Sequence, residues 1–88
     1  DLSRYEDLRA LTLIKCRDIL DFNFIGLNKL TKLIYLRIAG ITSTNKLREP
    51  LSNLSRLEYL SLSNVNLHKN DLILLIKNNP GLLYLNIE

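Results

Sequence analysis

The chain has 88 residues, about a quarter of them leucine, with neither methionine nor tryptophan. Its net charge of +3 and pI of about 9.2 are basic, but Lys and Arg interleave with Asp and Glu, which is not the concentrated footprint of a nucleic-acid-binding domain. The single cysteine, Cys16, excludes an internal disulfide framework and points to a reducing, intracellular setting, and the longest apolar run, Leu72 to Ile76, is far too short to span a membrane.

In chain order, the first predicted element is a strand around Leu8-x-x-Leu11-x-Leu13-x-x-Cys16. Alternation of apolar and polar residues over a short run buries one face of a strand. Leu11 and Leu13 are therefore predicted to point inward and Thr12 outward. The segment from Asp18 to Leu30 returns the chain; Phe22, Phe24 and Ile25 fill the space behind the strand, and Gly26 marks a break.

The same pattern recurs as Leu33-x-x-Leu36-x-Ile38-x-x-Ile41, then as Leu57-x-x-Leu60-x-Leu62-x-x-Val65-x-Leu67, and last as Leu82-x-x-Leu85-x-Ile87. The copies begin at residues 8, 33, 57 and 82, and the last three contain Leu-x-Tyr-Leu. A period of this size denotes one supersecondary unit stacked on itself. Each strand is predicted to send its aliphatic pair inward and Arg37, Ser61 or Asn86 outward. Crossovers of more than a dozen residues make the strands parallel. In the second return, Pro50 predicts a short helix or tight turn beginning near it. In the third, Asn70 or Asp71 is the expected cap of a helix with Leu72, Leu75 and Ile76 on its apolar stripe. Asn78-Asn79-Pro80-Gly81 ends that helix, since proline cannot continue it.

These four matches to L-x-x-L-x-L-x-x-(N/C)-x-L resemble the leucine-rich-repeat family over essentially the whole chain. The resemblance implies an α/β fold: a leucine-rich-repeat solenoid, a short right-handed arc with about four parallel strands on its concave face. Helices or irregular segments then form the convex face. Residues 1–88 read as a single domain, and the absence of polar capping repeats suggests a fragment of a longer array. Leu13-x-x-Cys16-x-x-Ile19 and Asn78-Asn79-Pro80-x-Leu82 are similar to the cysteine-containing repeats of F-box substrate receptors, and the second also to ribonuclease-inhibitor-like repeats. Glu49-Pro50-Leu51-Ser52-Asn53-Leu54 is closer to plant-type receptors. Ile41 and Val65 depart from the family's Asn or Cys, so no regular asparagine ladder is expected there.

The residues that carry chemistry are few. Cys16 lies on the buried ladder position with no cysteine or histidine near it, and reads as a core thiol rather than a nucleophile. His68 has no spaced partner and reads as a surface turn residue, not a metal ligand. No catalytic residue, metal site or cofactor is assigned, and the chain does not read as an enzyme. Tyr35, Tyr59 and Tyr84 share one position of the motif and are expected to form a stacked column on the exposed face, strands being about 4.8 Å apart. Thr12, Arg37, Ser61 and Asn86 run beside it.

Tyrosine and arginine are frequent anchors of protein partners. Stacking that only stabilises the sheet accounts equally well for the tyrosines. The functional expectation is non-catalytic protein–protein recognition through the concave strand face, with a protein partner and no small-molecule substrate. The F-box resemblance implies substrate recognition for a ubiquitin ligase. Two alternatives stay open: an extracellular receptor ectodomain fragment, for which Asn53-Leu54-Ser55 supplies a glycosylation sequence, and a ribonucleoprotein or nucleic-acid-associated adaptor.

Overall fold

A computed structural model describes residues 2–14, 27–40, 51–63 and 68–87. Its organising element is a four-stranded sheet of β1 (Ala10–Ile14), β2 (Tyr35–Ala39), β3 (Tyr59–Ser63) and β4 (Tyr84–Ile87). All neighbours are parallel, and the spatial order follows the chain order. One ten-residue helix, α1 (Lys69–Asn78), connects β3 to β4. The fold is α/β, as the alternation and the long crossovers predict.

The register has no stagger. Leu11 pairs with Leu36, Leu36 with Leu60 and Leu60 with Leu85. Corresponding positions of the sequence motif therefore lie side by side, and each aliphatic position becomes a column across the sheet. Strand entry is equally regular. The N–H groups of Ile34 and Tyr35 both donate to the Arg9 carbonyl, at 2.8 and 3.0 Å. Those of Glu58 and Tyr59 converge on Ile34, and those of Leu83 and Tyr84 on Glu58. The same bifurcated bond brings each later copy of the motif into the sheet. At the exit of β2, Gly40 adopts φ 74°, the left-handed geometry glycine accepts freely, and donates to the Ser63 carbonyl.

The core is built from the columns of the second and third copies. Leu33, Leu36, Ile38, Leu57, Leu60 and Leu62 are buried, together with Leu27, Leu30, Leu51 and Leu54 from the turns that precede them. Each such leucine contributes roughly 1.5–3 kcal/mol relative to exposure. The outer copies are less covered. Leu11 and Leu13 pack against the core while remaining half-buried. Leu85 and Ile87, expected to point into the core, occupy the correct columns but stay 39% and 47% exposed. Among the described residues β4 has a strand on one side only, which covers its inward side chains from one direction.

Helix α1 corrects two expectations. Its N-cap is His68 rather than Asn70 or Asp71: the Nδ1 atom accepts from the Asn70 N–H at 3.1 Å. The His68 carbonyl accepts the first helical bond, from Leu72. His68 has extended backbone geometry and an acceptor two residues before a free N–H, which satisfies a group the helix leaves unpaired. The stripe is also narrower than expected. Leu75 is buried and Leu72 half-buried, but Ile76 is 38% exposed. The helix stops at Asn78 as expected, with Asn79 as its C-cap.

Cys16, Phe22, Phe24, Ile25, Gly26, Ile41, Pro50, Val65 and Leu67 lie outside the described residues. Leu51 and Ser52 are helical, consistent with a helix beginning near Pro50.

Candidate functional site

The three tyrosines meet because their strands do. Tyr35 pairs with Tyr59 and Tyr59 with Tyr84, and Ala10 holds the same position in β1. Ring centroids are 4.2 Å apart at 11° between Tyr35 and Tyr59, and 4.4 Å apart at 2° between Tyr59 and Tyr84. The rings are parallel and closer together than the roughly 4.8 Å between strand axes. Each pair contributes about 0.5–1.5 kcal/mol beyond the area it buries. The expected stacked column is present, on the face opposite the aliphatic core.

Stacking determines what the column can present. The faces of Tyr59 are occupied by its neighbours, leaving ring edges and hydroxyls toward solvent. Loss of water on both sides of the ring is the main reason its phenol pKa is raised, with the adjacent Tyr35 and Tyr84 phenols adding to it. Among the described residues Tyr84 stacks on one neighbour only, and it is 46% exposed.

The second row runs two residues further along the strands, as Thr12, Arg37, Ser61 and Asn86 in direct register. Thr12 and Arg37 are exposed and Asn86 is half-buried. Ser61 is not an accessible contact: it is 3% exposed. It lies in register between Arg37 and Asn86 on the flanking strands. The row available to a partner is therefore Thr12, Arg37 and Asn86.

A third row borders the column at Arg9, Ile34, Glu58 and Leu83, and a fourth at Asp7, Lys32, Arg56 and Gly81. Within the fourth, the Lys32 ammonium pairs with the Asp7 carboxylate. That bond, followed by the charge of Lys32 itself, holds the Asp7 pKa below the usual carboxylate range. Both side chains face solvent, so the pair adds little to stability.

Asn79 is the residue sequence reasoning missed. Counting back three residues from each motif start gives Tyr5, Leu30, Leu54 and Asn79. Leu30, Leu54 and Asn79 are all buried, so an amide stands in an aliphatic column. Its Oδ1 accepts from the Leu57 N–H at 2.8 Å, and its Nδ2 donates to the Leu54 carbonyl at 2.9 Å and the Leu75 carbonyl at 2.7 Å. In the first, second and fourth copies the corresponding turn closes on itself, through Leu8 N–H to Tyr5, Leu33 N–H to Leu30 and Leu82 N–H to Asn79. In the third, the amide of Asn79 bridges the same two groups. Asn79 thereby ties the end of α1 to the turn two residues before Tyr59, and positions Tyr59 and Tyr84 together. A polar residue at the position held by Leu30 and Leu54 was the available signal.

Two exposed asparagines make weaker contacts of the same type. Asn53 and Asn78 donate backward to the carbonyls of Asn28 and Ser52, at 3.5 and 3.4 Å. Asn53, of the glycosylation sequence, is exposed. Among the described residues no His, Cys, Asp and Glu cluster is arranged to hold a metal ion, and no helix is long and apolar enough to cross a membrane. No family profile, curated protein or solved structure matches the chain.

Proposed function

We propose that the chain is a short leucine-rich-repeat solenoid that recognises a protein partner, without catalysis, through the sheet face bearing Tyr35, Tyr59 and Tyr84. The observation that carries this reading is the in-register column of stacked rings beside Thr12, Arg37 and Asn86 on one face. Rings already held by their neighbours lose little side-chain entropy when a partner arrives, which lowers the cost of binding. Their edges are the positive part of the ring quadrupole, and the hydroxyls donate hydrogen bonds. Arg37 adds a planar fork suited to a carboxylate. The face therefore suits a polypeptide segment that offers carbonyls and acidic side chains.

The test is quantitative affinity capture from cell extract, comparing the wild-type chain with an Arg37→Glu, Tyr84→Ser variant. Tyr84 is chosen because it has one stacking neighbour, so its loss leaves the Tyr35–Tyr59 pair in place. Lys29→Glu, an exposed charge reversal in the turn before β2, serves as control. Proteins retained by wild type and control should be depleted about tenfold or more by the face variant. Identical capture by all three folded proteins would overturn the reading.

A further inference from the structure

Helix α1 is closed at both ends by side chains. At its start, His68 Nδ1 accepts from the Asn70 N–H at 3.1 Å. At its end, the Asn79 amide bonds the Leu75 carbonyl of the helix and, in the turn before Tyr59, the Leu54 carbonyl and the Leu57 N–H.

The two closures differ in one chemical respect. A carboxamide keeps its donors and acceptors as pH changes, whereas an imidazole nitrogen accepts only while it has a lone pair. The bond from Asn70 therefore requires a neutral ring with its proton on Nε2. Protonation turns Nδ1 into a donor facing another donor. It also sets a positive charge at the end of the helix where the backbone dipole is already positive. The commoner caps Asn, Ser and Thr carry no such dependence. His68 is exposed, so solvent protons reach it freely.

We infer that His68 makes α1 a pH-sensitive clamp: with the ring neutral the helix is capped and Asn79 holds the turn before Tyr59, and with the ring protonated the first turn of α1 opens and that hold weakens. Ten residues make about 15 Å of helix, and isolated helices of that length are marginal in water. The first helical bond, Leu72 N–H to the His68 carbonyl, lies within one turn of Leu75. Opening there leaves only the last turns of α1 to keep the Leu75 carbonyl aimed at Asn79. The turn before Tyr59 can let go, because its counterparts close on themselves, as Leu33 N–H does on Leu30. The Leu57 N–H then takes the Leu54 carbonyl as its partner, and release strands neither group.

The groups around His68 leave the ring as the source of the effect. On α1 it is followed by Lys69 and Asp71, whose charges are opposite in sign. Residues 64–67 contain no ionisable side chain, and neither does the 51–54 segment whose carbonyls receive Asn78 and Asn79. β3 and β4 carry none other than Tyr59 and Tyr84, which lie on the face opposite the core that Leu75 joins.

The test is hydrogen exchange of the 88-residue chain by NMR at about pH 7.5 and about pH 5, the interval in which histidine changes charge. Each rate is divided by the intrinsic rate at its own pH. On acidification, protection of the Leu72 and Leu75 amides and of the Asn79 carboxamide protons should fall about fivefold or more, the usual worth of a cap. The amides of β2 and β3 should keep theirs. His68→Asn, whose side-chain oxygen accepts without titrating, should retain the neutral-pH protection at both values, and His68→Ala should lack it at both. Long-range nitrogen–proton correlation at pH 7.5 should find the ring proton on Nε2. Protection in the wild-type chain that ignores pH would overturn the inference, as would a decline that persists in His68→Asn or a proton on Nδ1. A decline shared equally by β2 and β3 would also overturn it, because the whole chain would then be unfolding. Every readout is on α1, Asn79 or the sheet, so the outcome does not depend on what the tyrosine face binds.

Discussion

At the scale of single residues, Asn79 shows how one side chain can hold a site it does not touch. Three hydrogen bonds satisfy its amide, and all involve backbone groups of the turn or helix around it. A buried donor or acceptor left without a partner costs about 1–3 kcal/mol. Asn79→Ala strands the Leu57 N–H and the Leu54 carbonyl unless their turn closes on itself, as its counterparts do. The expected loss is therefore about 2–4 kcal/mol, read from urea denaturation. Asn79→Leu matches the aliphatic column of Leu30 and Leu54 and should recover part of that loss. A variant as stable as wild type after Asn79→Ala would show that the amide is dispensable. Ser61 makes the converse point: alternation assigns it to the outer face, yet it is only 3% exposed, so alternation does not decide whether solvent reaches it.

At the scale of elements, four short strands act as one unit because their register has no stagger. That register converts one recurring tyrosine into a stacked column, and it gives Tyr59 different chemistry from an isolated tyrosine. Desolvation raises the phenol pKa, so the folded chain retains this proton at pH values where the unfolded chain has lost it. The linked stability is complete below the ordinary tyrosine pKa of about 10 and is lost as pH rises through the higher folded value. Tyr59→Phe keeps the ring and removes the titration. Its stability should decline less than that of wild type between about pH 8 and about pH 11, measured by denaturant titration at both. Equal alkaline losses would mean the column does not desolvate the phenol. Helix α1 belongs to the same scale. Its C-terminus is capped by Asn79, which donates to the Ile76 carbonyl through its N–H and to the Leu75 carbonyl through Nδ2, whereas its N-terminus uses the less common cap His68.

For the molecule as a whole, burial grades from the middle of the sheet toward both edges. Leu36 and Leu85 hold equivalent positions in the motif, yet Leu36 is fully buried and Leu85 is 39% exposed. Leu36→Ala should destabilise by about 2–5 kcal/mol, the usual cost of a cavity in a packed core. Leu85→Ala should cost less than about 1.5 kcal/mol, since much of its surface is already hydrated. Equal losses would contradict the gradient.

The leucine spacing determined the parallel strands, their order, their inward positions and the alignment of the three tyrosines. All of these follow from periodicity, which depends only on neighbours along the chain and on a constant repeat length. The end of α1 was equally legible, because proline and glycine act locally. Tertiary structure alone decided the cap at His68, the covering of Ser61, the exposure of Leu85 and Ile87, and the role of Asn79. Each depends on what stands beside a residue across the sheet or behind it. An amide 22 residues from the N–H it accepts cannot be recognised from the local pattern around either one. Periodicity specifies which positions come together, while packing decides how much water and which polar groups remain when they do.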